Sequence, residues 1–387
     1  MRRPLKCLFQ LAALMAAFTQ AQAQSAFYRA TPEEIAGPPG TIIREEPMYG
    51  APAGAFAHRV LYRSTGLNGE PIAVSGVVIV PPGTPPPGGR PIVAWAHPTS
   101  GVVPHCAPSM AVFLFQQIAG SRPLLENGYV IAATDYPGLG TPQTHPYLIG
   151  DSEGRAVLDS VRAARRIAGV GEGNRFTVWG HSQGGQAALY TGLLAQHYAP
   201  ELELLGVAAA APATELVTLM SDDFNSSGGK NLTAMALWSW SRIFNIPLRS
   251  VVEPDAVPAV NRLAEQCIES VFDIVVRQNL ERPLERSFLT VKNIAETEPW
   301  RGIALRNTPG PLPSRVPVFL AQGTTDQIVR PQVTRDYMRR LCRNGSRVRM
   351  IELPGVGHGF AARDSANYAI DWMAERFAGK PAEDDCR

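Results

Sequence analysis

Phe176-Thr177-Val178-Trp179-Gly180-His181-Ser182-Gln183-Gly184-Gly185 is the stretch on which the fold turns. Four β-prone residues run into Gly-x-Ser-x-Gly, and the helix-forming run Gln186-Ala187-Ala188-Leu189-Tyr190 follows directly. Strand, tight turn and helix in that order give the pattern its meaning. A serine at such a turn is held in a strained backbone conformation with its hydroxyl above the strand end. Gly180 and Gly184 lack the Cβ atoms that would collide where strand and helix approach most closely. The free N–H groups at the helix start, and the positive end of its dipole, face whatever lies beside Ser182. The competing reading, a chance match in a glycine-rich loop, would lack the strand and the helix.

Working outward, the chain alternates between strand and helix signals. Ile92-Val93-Ala94-Trp95-Ala96 reads as a buried strand ending at His97-Pro98-Thr99-Ser100-Gly101. Tyr129–Thr134 reads as another, ending in Asp135-Tyr136-Pro137-Gly138-Leu139-Gly140. Val60–Ser64 and Ile72–Val80 alternate as paired strands do, and a Pro- and Gly-rich surface loop, Pro81–Gly89, follows them. Residues 24–58, rich in Pro, Gly and Ala, read as an irregular lead-in. Asp151 is placed as the cap of a helix running to Ile167, with Ala156, Val157, Val161 and Ala164 on one face.

Beyond the serine, Leu204–Ala211 is a further apolar run, Val316–Ala321 and Val348–Leu353 are strands, and Val333–Cys342 and Ser365–Phe377 are helices. Such spacing implies crossovers in a mostly parallel central sheet flanked by helices. Between 220 and 308 the alternation breaks into helical periodicity with Trp238, Trp240 and Trp300. An insertion that re-enters the same sheet is expected to be a helical cap over the strand C-terminal ends, where ligands bind in open α/β sheets. The expected organisation is a leader over 1–23, a core over 24–219, the cap over 220–308, and the rest of the core over 309–387.

The chain has 387 residues, 45% hydrophobic and 18% charged, enough to bury a sizeable core and too apolar for global disorder. Arg2, Arg3 and Lys6 precede an apolar run from Leu8 to Phe18, and Ala21-Gln22-Ala23 offers a small-x-small cleavage site. These features describe a cleaved export signal, giving a secreted or periplasmic protein; the run is too short to span a bilayer. Without residues 1–23 the net charge is (36 − 3) − 34 = −1, which gives no reason to expect nucleic acid or another polyanion as partner. Arg335, Arg339, Arg340 and Arg343 read as a solvated helix face. Cleavage removes Cys7 and leaves Cys106, Cys267, Cys342 and Cys386. Four cysteines in an exported chain suggest two disulfides in one of three pairings, and their spacing fits no common zinc site, so no metal is expected. Shared nearness to the C-terminus favours Cys342–Cys386, which leaves Cys106–Cys267; free buried thiols are the alternative.

A serine hydroxyl is a weak nucleophile that needs a base held by an acid. In an α/β-hydrolase sheet the order along the chain is serine, then Asp or Glu, then histidine. Only His197 and His358 follow Ser182. His197 falls well inside the helix that begins at the serine, whereas His358 lies in a glycine-rich loop after the last strand. For the acid, Asp326 follows the strand Val316–Ala321 across a short turn, with Asp336 and Asp364 as rivals within or beside helices. The expected oxyanion donors are the N–H groups of Gln183 and of Thr99, since Pro98 has none. His97 is assigned a structural hydrogen-bonding role. Tyr136 and Leu139 are candidates for the acyl pocket or for a turn without ligand contact. Phe113, Trp238 and Trp240 are candidates for pocket wall or core.

Taken together, Ala94-Trp95-Ala96-His97-Pro98-Thr99-Ser100-Gly101, Asp135-Tyr136-Pro137-Gly138-Leu139-Gly140, Gly180-His181-Ser182-Gln183-Gly184-Gly185, Val207-Ala208-Ala209-Ala210-Ala211-Pro212 and Gly355-Val356-Gly357-His358 resemble the secretory lipase family, typified by fungal lipase A enzymes and with bacterial relatives. The likeness runs from about Glu33 to the C-terminus. It implies an α/β-hydrolase fold, cleavage of carboxylic esters including acylglycerols, and no cofactor. It carries the triad onto Ser182, Asp326 and His358, the oxyanion donors onto Thr99 and Gln183, and the disulfides onto Cys106–Cys267 and Cys342–Cys386. Pro98 stands where relatives often have glycine.

The expected partner is therefore a small-molecule or lipid ester, with a transient lipid-surface contact. Two other readings compete. A peptidase or acyltransferase could use the same scaffold, because fold alone does not fix chemistry; the cap glutamates Glu265, Glu269, Glu281 and Glu285 would then be candidate anchors. A catalytically inactive binding module would require a lost triad member, and none is lost.

Overall fold

The computed structural model describes residues 26–222, 227–269 and 271–386; the leader expected over 1–23 lies outside them. Nine strands form one sheet in the order β1-β2-β3-β5-β4-β6-β7-β8-β9. They are β1 Ile42–Met48, β2 Phe56–Thr65, β3 Pro71–Val80, β4 Ile92–Ala96, β5 Val130–Thr134, β6 Arg175–His181, β7 Glu203–Ala210, β8 Val318–Gly323 and β9 Val348–Leu353. The first three strands and the β3–β5 pair are antiparallel, and every pairing from β5 through β9 is parallel. This is the mostly parallel α/β sheet that the alternation implies.

Burial on both faces explains the near-continuous apolar composition of the central strands. In β4, Ile92, Ala94 and Ala96 enter one core and Val93 and Trp95 the other; β6 divides Phe176 and Val178 from Trp179 in the same way. The first core is closed by α1 Gly150–Ala164, α2 Gln183–Tyr198 and one face of a later helix, Pro331–Arg343. The second is closed by the last helix, Ala361–Phe377, and by the insertion. The next two strands in the chain flank β4 on opposite sides, β5 on one and β6 on the other, so the direction of winding reverses there. Their C-terminal ends therefore open the crevice at which open α/β sheets bind ligands.

Between β7 and β8 the chain leaves the sheet and forms α3 Leu216–Asp222, α4 Ser227–Ile243, α5 Val257–Ala264, α6 Val271–Arg286 and α7 Trp300–Arg306. The helical part thus starts at Leu216, ahead of Met220. Helices α8 Pro331–Arg343 and α9 Ala361–Phe377 follow β8 and β9. The arginines of α8 are less uniformly solvated than their run suggests. Arg340 is partly buried over the Tyr337 ring and pairs with Glu215 at 2.6 Å.

Three local expectations need correction. The lead-in is not wholly irregular, because Ile42–Met48 pairs with β2 as an edge strand with a register shift between Ile42 and Arg44. Its Arg44, Glu45, Glu46 and Pro47 mask the strand pattern, and they are the residues that protect an edge from further pairing. Asp151 does not cap α1. The helix begins one residue earlier with Ile149 in the cap position, and Asp151 sits in the first turn, where its charge suits the helix dipole. Strand β8 starts at Val318 because Pro317 has no N–H to give the ladder; its carbonyl accepts from Val207 N–H at 3.0 Å.

Two disulfides are present, Cys106–Cys267 and Cys342–Cys386. The first joins the loop after β4 to the insertion across 161 residues. Neighbouring bonds reinforce that junction: Ile268 N–H donates to Ser100 O at 2.8 Å, and Gln117 Nε2–H donates to Glu269 O at 3.2 Å. Replacing Cys106 and Cys267 together by alanine is expected to lower stability by about 3 kcal/mol, read as a lower urea midpoint with an unchanged far-UV spectrum.

Candidate active site

Ser182 ends β6 and precedes α2 with φ 57° and ψ −117°. For a residue with a Cβ, that conformation costs about 1–3 kcal/mol and persists only where the surroundings enforce it. Three backbone hydrogen bonds do so. Ser182 N–H donates to Ala210 O at 3.0 Å, and Ser182 O accepts from Gln186 N–H at 3.1 Å and Ala213 N–H at 3.2 Å. The close approach of strand and helix also demands two glycines. A Cβ on Gly180 would lie 2.0 Å from Gly184 O, and one on Gly184 would lie 1.9 Å from Ala96 O.

His358 opens a short helical turn after β9, and Asp326 lies in the turn after β8. The fold brings both to Ser182. His358 Nε2 is 2.8 Å from Ser182 Oγ, and His358 Nδ1 is 2.8 Å from Asp326 Oδ2. Asp326 is buried. Its Oδ1 accepts the N–H groups of Ile328 and Val329, each at 2.9 Å, and Oδ2 also accepts from Gln322 Nε2 at 3.2 Å. Burial alone would raise its pKa, but the His358 hydrogen bond and charge, with those two N–H groups, hold the carboxyl below its ordinary range. An ionised Asp326 fixes the proton of neutral His358 on Nδ1 and leaves Nε2 free to accept the serine proton. The rivals Asp336 and Asp364 are engaged elsewhere, with Arg339 and Arg363, and His197 is exposed on α2.

Sequence reasoning missed several groups around this chain. His181 Nε2–H donates to the backbone oxygen of His358 at 3.0 Å, and burial pushes its pKa down to about 3. It is therefore a neutral strut under the His358 loop. Gln322 holds Asp326 and is itself held by the Thr334 hydroxyl at 2.6 Å. His181 did carry a signal, its place inside Gly-x-Ser-x-Gly; Gln322, four residues before the acid, carried none.

The loop after β4 is fixed from below. His97 Nδ1 is 2.6 Å from Pro98 O and Nε2 is 3.1 Å from Asp135 O. Burial lowers its pKa to about 4, so the neutral ring carries one N–H and donates to one of those two oxygens. Thr99 lines the cleft above, with its hydroxyl 2.9 Å from Tyr147 Oη. Gln183 is the first residue of α2, so its N–H has no intrahelical acceptor. Its side chain turns inward to Glu153 and His145.

The candidate substrate contacts Tyr136, Leu139 and Trp238 lie outside the walls of the cavities that reach Ser182. Tyr136 and Leu139 have no exposed surface and line no described cavity. Tyr136 instead packs 4.3 Å from the His97 ring and donates its hydroxyl to His97 O, so the turn supports the loop after β4. Trp238 is partly buried and carries the Arg242 guanidinium over its ring. Trp240, two residues on and so on the other side of α4, is the one that reaches the site. Phe113 is exposed.

Two cavities meet at Ser182. A wide cleft of about 850 Å³ is lined by Thr99, Ser182, His358 and Phe360, and by Asn231 and Arg277 from the insertion. Glu269 and Glu281 also border it, whereas Glu265 and Glu285 are exposed. A chamber of about 40 Å³ is walled by Gln183, Leu219, Met220, Trp240 and Ile328. The one group of three metal-type ligands among the described residues is His105, Cys106 and Cys267, and its two sulfurs are bonded to each other.

The secretory lipase family matches residues 116–385. Among curated relatives, Lipase 6 of Candida albicans is 27% identical over 394 aligned residues, covering 94% of this chain and 83% of that protein. Among solved structures, Candida antarctica lipase A in its closed state has a TM-score of 0.74 at 19% identity, covering 92% of this chain and 86% of that one. The rice cell wall degrading esterase LipA from Xanthomonas oryzae has a TM-score of 0.69 at 21% identity, covering 88% and 98%. Both are similar in fold over nearly the whole chain.

The steric reading of the turn has a direct test. Gly184→Ala is expected to destabilise the protein by about 3 kcal/mol, measured by denaturant titration, because the new methyl group meets backbone that cannot move aside.

Proposed function

The chain belongs to the secretory lipase family and is a carboxylic ester hydrolase; within that class we propose that it works as an exported serine esterase or lipase through Ser182, His358 and Asp326. The observation that carries this reading is the unbroken chain of two 2.8 Å contacts from Ser182 Oγ through the imidazole to Asp326. Ser182 Oγ attacks the ester carbonyl while its proton passes to His358 Nε2. Asp326 stabilises the imidazolium, and the N–H groups of Gln183 and Thr99 receive the oxyanion. Collapse expels the alcohol, which takes the proton from His358, and leaves an acyl-enzyme. Water then gives a proton to His358, attacks the acyl carbon and releases the acid, and the proton returns to Ser182 Oγ. Two disulfides and the family's secretory character support export, with cleavage after Ala23.

Proton transfer also assigns the two cavities. His358 must reach the leaving oxygen, so the alcohol lies on the side that His358 lines, the wide cleft with polar groups at its rim. The acyl chain then enters the chamber beside Gln183, whose walls do not include His358. Its small volume favours short acyl chains.

Ser182→Ala is expected to abolish hydrolysis of p-nitrophenyl butyrate and labelling by a fluorophosphonate probe; retained turnover removes the nucleophile assignment. Met220→Ala, which opens the chamber, is expected to shift the optimum toward longer acyl chains. Each methylene that finds room adds about 0.8 kcal/mol of binding, roughly fourfold in kcat/KM. An unchanged chain-length profile places the acyl group elsewhere.

A further inference from the structure

Beneath Ser182 lies a buried carboxyl that the mechanism above does not use. Glu153 stands in the first turn of α1 with no exposed surface. Its Oε1 accepts the side-chain N–H of Gln183 at 2.7 Å and the backbone N–H of Leu148 at 3.0 Å. Leu148 is a non-glycine residue at φ 56°. It and Gln183 both wall the chamber beside Ser182. One carboxyl oxygen therefore ties down the backbone at Leu148 and the side chain of Gln183.

Two atoms of this cluster are left over. Glu153 Oε2 and Gln183 Oε1 are both buried without a hydrogen-bond partner among the described residues. If the carboxyl were ionised, each would be an acceptor lacking a donor, a cost of about 1–3 kcal/mol or more apiece. A single proton on Oε2 removes both deficits. The acid O–H donates to Gln183 Oε1 while Gln183 Nε2–H donates to Oε1, the two-bond pairing of a carboxylic acid with a primary amide. The second Nε2 hydrogen meets His145 Nε2 at 3.2 Å, and His145 Nδ1–H donates to Pro137 O at 2.8 Å. Every donor then has its acceptor.

We propose that Glu153 is a positioning residue that acts as a neutral carboxylic acid, locking the Gln183 amide and thereby the backbone N–H that receives the oxyanion. The surroundings agree. His145 and Tyr136 from the loop after β5, and Gln186 and Tyr190 from α2, are the polar groups facing this region, and Glu153 itself forms none of the described ion pairs. His145 is neutral, its pKa lowered by burial to about 3, and both tyrosines are pushed above their ordinary range. Burial with no cation nearby raises the Glu153 carboxyl to about 8. Because the folded value lies above the unfolded one, the native state holds a proton that the unfolded chain releases. Stability falls as pH rises from the ordinary carboxylate range to about 8, where the native carboxyl also ionises. Ionisation removes the O–H donor and sets a negative charge beside the helix end that must accept another.

This proposal rests on the assignment of Ser182 and of the Gln183 N–H given above. Its test is the pH dependence of kcat and KM for p-nitrophenyl butyrate in wild type, Glu153→Gln and Glu153→Ala, with circular dichroism confirming that each is folded. Wild type is expected to lose kcat on the alkaline side with a midpoint near 8. Glu153→Gln reproduces the paired geometry with an amide that does not ionise. It should restore kcat at pH 7 to within about twofold and abolish the alkaline loss. Glu153→Ala should lower kcat about tenfold with little change in KM, since the lost interaction serves the transition state. An identical alkaline limb in wild type and Glu153→Gln overturns the proposal, and so does a folded Glu153→Gln that has lost its kcat. Ser182→Ala assayed in parallel separates the two levels. Turnover surviving there removes the underlying assignment, whereas serine-dependent turnover with an unaltered alkaline limb removes the role of Glu153 alone.

Discussion

The distance between one helix start and two strand ends governs this molecule. Gly184 sits so close to Ala96 O, and Gly180 so close to Gly184 O, that neither position has room for a methyl group. That closeness lets α2 begin at Gln183 with no intervening loop. It forces Ser182 to positive φ and lifts its hydroxyl clear of the sheet. The cost of about 1–3 kcal/mol is offset by the hydrogen bonds that grip the serine backbone from β7 and α2. Gln183, placed first in that helix, keeps an N–H with no intrahelical acceptor next to the serine. The serine conformation and that uncapped N–H therefore arise from a single steric constraint.

Burial acts on Asp326, Glu153, His97, His145 and His181 alike, yet the outcomes differ because the partners differ. Asp326 meets an imidazole and two backbone N–H groups, which together outweigh its desolvation and keep it ionised. Glu153, equally buried, meets an amide and one N–H, and no cation stands near. Its carboxyl goes the other way. His97, His145 and His181 all lose their charge to burial and work as neutral struts. Asp326, whose partners hold it in the charged form, is the carboxyl hydrogen-bonded to the imidazole of His358.

The insertion is not a loosely placed roof. It is tied to the loop after β4 by Cys106–Cys267, by Ile268 N–H to Ser100 O, and by His105 Nε2 at 3.0 Å from Glu265 O. The loop that carries Thr99 and the helices that carry Asn231, Arg277 and Trp240 therefore form one framework around Ser182. Around Ser182 this framework leaves an apolar chamber on the Gln183 side and a wide cleft on the His358 side.

The fold was legible in the sequence because its signals are local. Gly180, Ser182 and Gly184 declare the turn, the apolar runs declare the strands, and the break after residue 219 declares the insertion. Edge strand β1 was hidden by Arg44, Glu45, Glu46 and Pro47, since edges are protected by the residues that weaken a strand pattern. Tyr136, Leu139 and Trp238 stayed open between cavity and core because which of these an aromatic or aliphatic side chain faces depends on what packs over it. His181, Glu153 and Trp240 gained their importance from neighbours far along the chain, and Gln322 from how the turn folds Asp326 and Thr334 back onto it. Periodicity and stereochemistry, which act between residues a few positions apart, determined the architecture and the turn. Protonation states, cavity walls and the struts beneath the site depend on burial and on partners brought together across the fold, and only the tertiary structure decided them.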